Sequence, residues 1–171
     1  ASIVHNNLKD MKDVLTYSLQ YQKGAWVLHM LRNYVGEDNF REGIRNYYTK
    51  YYNLSTTTEE FKLEMENVSG KDLDTFFDQW LYKGGIMKLD VSWEYNERKK
   101  EIEIDLSQVQ NDGYLFEMPL EIEIHYDEKK SIIKTINIDE KSKKYIISSD
   151  YNPKEIKLDP HIKLLAEWSI N

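Results

Sequence analysis

Phe76-Phe77-Asp78-Gln79-Trp80-Leu81-Tyr82-Lys83-Gly84-Gly85-Ile86-Met87-Lys88-Leu89 is the stretch on which the reading of this 171-residue chain turns. Up to about Tyr82 the apolar residues recur at steps of three and four, the period of a helix face; after about Met87 they alternate with period two, the period of a strand. The class of structure therefore changes at Lys83-Gly84-Gly85, where the two glycines stop the last helix. The expected fold is α+β in two segments. Residues 1–85 form an all-α helical part, and residues 86–171 form a small antiparallel β-sandwich.

Working back from the boundary, Leu73, Phe76, Phe77, Trp80 and Leu81 share one helix face and read as core. The preceding helix opens on a capping box, because Thr57 and Glu60 stand three apart and can satisfy each other's end of the first turn. Phe61, Met65 and Val68 mark its buried side, and Gly70 is its stop. Before that, a helix beginning near Arg41 is expected to set Phe40, Ile44, Tyr47, Tyr48 and Tyr51 as an aromatic face against the core. The first helix of the set runs through Leu28, Met30, Leu31, Tyr34 and Val35 to Gly36, and is headed by Tyr21-Gln22-Lys23-Gly24-Ala25-Trp26-Val27.

Working forward, Leu89/Val91/Trp93/Tyr95, Ile102/Ile104/Leu106 and Leu120/Ile122/Ile124/Tyr126 alternate with polar residues. Ile132 to Ile138, Tyr145 with Ile147, and Ile156 with Leu158 complete six or seven short antiparallel strands. Glu101, Glu103, Glu121 and Glu123 alternate with these apolar residues and are expected on a solvated sheet face. The short basic runs Arg98-Lys99-Lys100, Lys129-Lys130 and Lys141 to Lys144 are expected in turns, as solvated hairpin tips. The last apolar run, Ile162, Leu164, Leu165 and Trp168, either caps the sandwich or docks elsewhere.

Composition narrows the function. Hydrophobic residues at 40% and charged residues at 31% describe a globular chain. A net charge of -7 with a pI near 5.2 argues against a nucleic-acid partner, since phosphate neutralisation needs clustered Lys and Arg. There is no cysteine, hence no disulfide or thiol chemistry. No run of apolar residues is long enough for a membrane helix. No glycine-rich phosphate loop is present, and compartment stays open.

Taken together, Tyr21-x-Lys23-Gly24-Ala25, the helical pattern behind it, Ser69-Gly70-Lys71-Asp72-Leu73 and Phe76-Phe77-x-Gln79-Trp80-Leu81 resemble the end of the catalytic region in the zinc aminopeptidases related to aminopeptidase N. The resemblance is strongest over Tyr21 to Gly85 and thinner over the strands, where Ile156-Lys157-Leu158-Asp159-Pro160 is a further echo. It implies that residues 1–85 are the helical part of a thermolysin-like catalytic domain. It also implies that Tyr21 is the catalytic residue which donates its phenol hydrogen to the oxyanion formed when water attacks the scissile carbonyl. A phenol suits that task, being a donor that stays protonated at neutral pH. If the register is different, Tyr17 is the competitor.

The family's zinc motif, a helical His-Glu-x-x-His, is missing. The four histidines, His5, His29, His125 and His161, include no pair four apart. The resemblance therefore implies zinc in an intact parent enzyme, with none bound by this chain alone. The expected partners are a peptide substrate reached through the parent, and an upstream catalytic domain packing on the first helix. As an isolated chain it is expected to be inactive. Two other readings stay open at this point: a non-catalytic relative serving as a peptide-binding or scaffold module, and an independent binding protein.

Overall fold

The computed structural model describes residues 2–4, 21–111, 113–128 and 130–171. The chain divides into two compact units, Ala1–Gly84 and Gly85–Asn171.

In the first unit, helix α1 spans Gly24–Val35 and buries Val27, Met30, Leu31 and Val35, which fall at helical spacing on one face. It stops at Gly36, whose φ of +93° is open to glycine and whose N–H donates to the Arg32 carbonyl at 3.0 Å. Helix α2, Glu37–Lys50, begins at once, ahead of the start expected near Arg41. The reason is local: Glu37 and Asp38 in the first turn complement the helix dipole, and the Glu37 carboxylate is gripped by both Arg32 and Arg41.

The expected aromatic face of α2 is only partly buried. Tyr47 and Tyr51 are half-buried, but Ile44 and Tyr48 are exposed. The contact with helix α3, Thr58–Ser69, runs through Gly43 instead, where an added Cβ would lie 2.7 Å from Met65 Sδ. A glycine lets the two helices close on each other, and the large aromatics flank that crossing. The capping box is present as expected: the Thr57 hydroxyl accepts from Glu59 N–H, and Thr57 N–H donates to the Glu60 carboxylate at 2.7 Å. Gly70, at φ +67°, closes α3. Its buried Glu64 accepts a 2.6 Å bond from the Lys50 ammonium.

Helix α4, Asp74–Phe77, was expected to run on regularly through Leu81. It widens instead into a π-helical turn over Asp78–Tyr82, closed by Lys83 N–H donating to the Asp78 carbonyl at 3.0 Å. Phe76, Phe77 and Trp80 are buried, with Phe76 stacked on Tyr34 at 5.6 Å and Phe77 meeting Phe61 at 6.3 Å.

The second unit contains seven strands: β1 Met87–Asn96, β2 Glu101–Gln108, β3 Met118–Asp127, β4 Lys130–Ile138, β5 Ser142–Ser148, β6 Glu155–Leu158 and β7 Ala166–Ile170. They form one sheet in the order β5-β2-β1-β7 and a second in the order β4-β3-β6. Each sheet buries the alternate residues read as apolar, such as Ile102, Ile104 and Leu106 on β2, and Leu120, Ile122 and Ile124 on β3. The expectation of purely antiparallel pairing is corrected in one place. β7 lies parallel to β1, with Leu89 opposite Trp168, so the last apolar run ends as an edge strand.

Two expectations about charge also change. Lys143 and Lys144 sit within β5 and not in a turn; there they pair with Asp139 and Glu140, and with Glu103 and Asp105. A sheet edge carrying lysines resists pairing with another chain. Glu103, Glu121 and Glu123 are half-buried and not fully solvated, and each has a partner. At the inward end of β2, Gln108 is 3% exposed. Its amide donates to the carbonyls of Phe116 and Glu140, while its oxygen accepts from Phe116 N–H and Gln110.

Candidate active site

The chain enters α1 through a π-type turn at Tyr21–Lys23, a wider turn than the helix it feeds. Tyr21, the one residue to which the sequence assigns chemistry, is 59% exposed and stands at the rim of a concave pocket of about 760 Å³. That volume lies within the usual range for ligand pockets. Gly24, Val27, Leu28 and Leu31 of α1 line one wall; Tyr47, Thr56, Thr57, Thr58, Phe61, Phe77 and Leu81 complete it. Most of this lining is apolar. The hydroxyls of Tyr21, Tyr47 and the threonines supply its polar groups, with Tyr47 and Thr56 hydrogen-bonded to each other.

Helical periodicity brings Gly24, Val27, Leu28 and Leu31 onto one side of α1 behind Tyr21. The opposite wall carries no sequence signal of a site. Tyr47 and Phe61 looked like helix core, and Thr57 like a cap, because their sequence signals report only the element each belongs to. Gly24 makes no close approach to another backbone among the described residues, since an added Cβ there would meet nothing within 4 Å. Its missing side chain leaves the pocket wall open behind Tyr21. Tyr17 and His5 lie outside the described residues.

Two residues after Tyr21, Lys23 is 7% exposed. Its ammonium donates to the Lys83 carbonyl at 3.5 Å, at the outer limit of a hydrogen bond. Burial holds the Lys23 pKa below the ordinary lysine value, because a low-dielectric surrounding disfavours the charged form.

The described residues do not fit a catalytic zinc. His29 sits on α1 edge-on to Trp26, with its ring nitrogen against Asn33; His125 contacts Glu123 at 3.0 Å, and His161 contacts Glu121 at 2.7 Å. No histidine joins a cluster able to hold an ion among the described residues, where the group of suitable spacing is Glu66, Asp72 and Asp74. Those three carboxylates are hard oxygen donors with other work. Glu66 accepts from Leu73 N–H, Asp72 from Asp74 N–H, and Asp74 from Lys62, so together they hold the start of α4.

Residues 2–80, nearly all of the helical unit, match the sequence model of the Peptidase family M1 domain. Among known proteins, the chain is 36% identical over 76 residues to aminopeptidase A of Gloydius brevicauda, an alignment covering 43% of this chain and 8% of that protein. It is 26% identical over 180 aligned positions to a leucyl aminopeptidase of Saccharolobus solfataricus, covering 96% of this chain and 22% of the relative. The crystal structure of Legionella pneumophila aminopeptidase A in complex with aspartic acid matches 100% of this chain and 20% of its own, with a TM-score of 0.86 and 19% identity. At that identity the likeness concerns the fold. The chain spans between 8% and 22% of the length of these proteins.

Proposed function

We propose that this chain is the C-terminal part of the catalytic region of a zinc-dependent aminopeptidase, together with the β-sandwich that follows it, and that Tyr21 is its catalytic residue. In this reading residues 1–85 belong to a thermolysin-like catalytic domain, and the two sheets of residues 86–171 close on each other as the sandwich. The observation that carries the proposal is the position of Tyr21: an exposed phenol, at the rim of an open pocket, inside the segment that matches the peptidase family.

The reaction removes the N-terminal residue of a peptide. When water attacks the scissile carbonyl, negative charge gathers on the carbonyl oxygen, and the Tyr21 O–H donates a hydrogen bond to it. That bond strengthens as the charge grows, so it lowers the barrier more than it tightens substrate binding. The family's zinc would be held by residues that this chain does not supply. Leu28 is 45% exposed on α1, and an upstream domain packing on that helix would cover it.

In the full-length protein, Tyr21→Phe should lower kcat by about 100- to 1000-fold, the usual cost of one oxyanion donor, with KM and metal content little changed. Steady-state hydrolysis of aminoacyl anilides measures this. Retention of full turnover by the variant would remove Tyr21 from the chemistry, whereas no turnover by the native full-length protein would favour a non-catalytic, peptide-binding relative.

A further inference from the structure

Lys23 is a buried cation. Among the described residues it makes no ion pair, and its one hydrogen bond, to the Lys83 carbonyl, is long at 3.5 Å. Withdrawing an ammonium from water costs several kcal/mol, so a chain that needed only packing here would be better served by an apolar side chain of the same length. The acceptor is itself fixed. Lys83 N–H donates to the Asp78 carbonyl at 3.0 Å, its ammonium pairs with Asp78 at 2.7 Å, and its backbone has already left the helix at φ -88°, ψ 153°. The Lys83 carbonyl is thus a rigid anchor at the end of the last helical turn.

Between that anchor and the pocket lies the π-type turn Tyr21–Lys23. Such a turn is looser than an α-helical one, and Tyr21 stands in it with most of its surface exposed. We infer that Lys23 is the positioning residue for Tyr21: by tying the inner end of the turn to the Lys83 carbonyl, it fixes where the phenol stands at the pocket rim. The inference rests on the catalytic reading of Tyr21. It explains why a lysine is kept at a buried position where its charge is a cost, and it gives the Tyr21-x-Lys23 spacing a physical reason. Standing two residues apart, the two side chains leave roughly opposite sides of the turn, one toward the reaction and one toward the anchor.

A double-mutant cycle in the full-length protein separates this from simple packing. Lys23→Met keeps the length and removes the charge. It should lower kcat on the order of 10- to 100-fold with KM within about two-fold, the effect of displacing a reacting group by about an ångström. Its thermal midpoint should be unchanged or higher, because the burial cost is gone. In a Tyr21→Phe background the same change should have no further effect on kcat, and Lys23→Arg in the native background should recover part of the loss. Equal losses in both backgrounds, or a lower thermal midpoint that accounts for the lost activity, would overturn the role of Lys23 and leave that of Tyr21 standing. No effect of Tyr21→Phe alone would remove the catalytic reading, and this inference with it.

Discussion

The two units cover their apolar residues differently. In the helical unit Leu28 and Leu63 are exposed on the same helices that bury Met30, Leu31 and Met65, and Tyr21, Ile44 and Tyr48 are exposed as well. In the second unit β2 and β3 bury nearly every inward residue, with Ile102, Ile104, Leu120, Ile122 and Ile124 at 0% exposure. A strand has two faces, so each side chain points to one or the other. A helix has a circumference, and side chains beside the buried stripe stay available to a pocket or a partner. The candidate chemistry lies on the helical unit, beside such a buried stripe.

The sharpest contrast is between Ile122→Ala and Leu28→Ala. The first empties a fully buried site and should cost about 2–5 kcal/mol, while the second, on the open side of α1, should stay within about 0.5 kcal/mol. Urea denaturation of the chain compares them, and equal costs would break the contrast. A smaller effect, about 1 kcal/mol, is expected from Thr57→Ala, which removes the hydroxyl side of the capping box of α3; Thr57→Ser should be nearly neutral.

The smallest effect is expected at Glu121. Burial by itself would raise its carboxyl pKa, but hydrogen bonds from His161 and Lys163, with their charges, outweigh it and hold the group below its ordinary value of 4.5. A carboxylate depressed in the folded state stabilises above that ordinary value, and the contribution fades as pH falls through the lower folded value. Thermal midpoints should therefore fall less steeply in Glu121→Gln than in the native chain below about pH 4.5. Parallel pH profiles would mean that the His161 and Lys163 contacts carry no weight in solution.

Local signals read well from sequence. Thr57 and Glu60 announced their capping box, Gly36 and Gly70 their helix stops, and the alternation along β2 and β3 their inward faces. What was not legible depends on residues far apart. The closeness of α2 to α3 hangs on Gly43 meeting Met65, and a lone glycine inside a helix pattern reads only as a weak point. The parallel pairing of β7 with β1 joins residues about 80 apart, and period two says nothing about the direction of a neighbour. The widening at Asp78–Tyr82 keeps its apolar residues roughly in phase, so it passed as a regular helix. For the candidate site, Tyr21 was legible through Lys23 and Gly24 beside it. Tyr47, Thr56 and Phe61 reach the same pocket from other helices and left no such trace.

Gln108 carries one more consequence, for the fidelity of folding. Its amide finds partners for both its nitrogen and its oxygen only where β2 has met β5 with Ser107 opposite Ser142, which brings Glu140 alongside, and where Phe116 has come to the end of β2. A slip by one residue would turn Ser107 or Val109 inward and strand the Phe116 amide and two carbonyls without partners. The glutamine thus proofreads the strand alignment, rejecting by its unmade bonds a pairing that hydrophobic contact alone would tolerate.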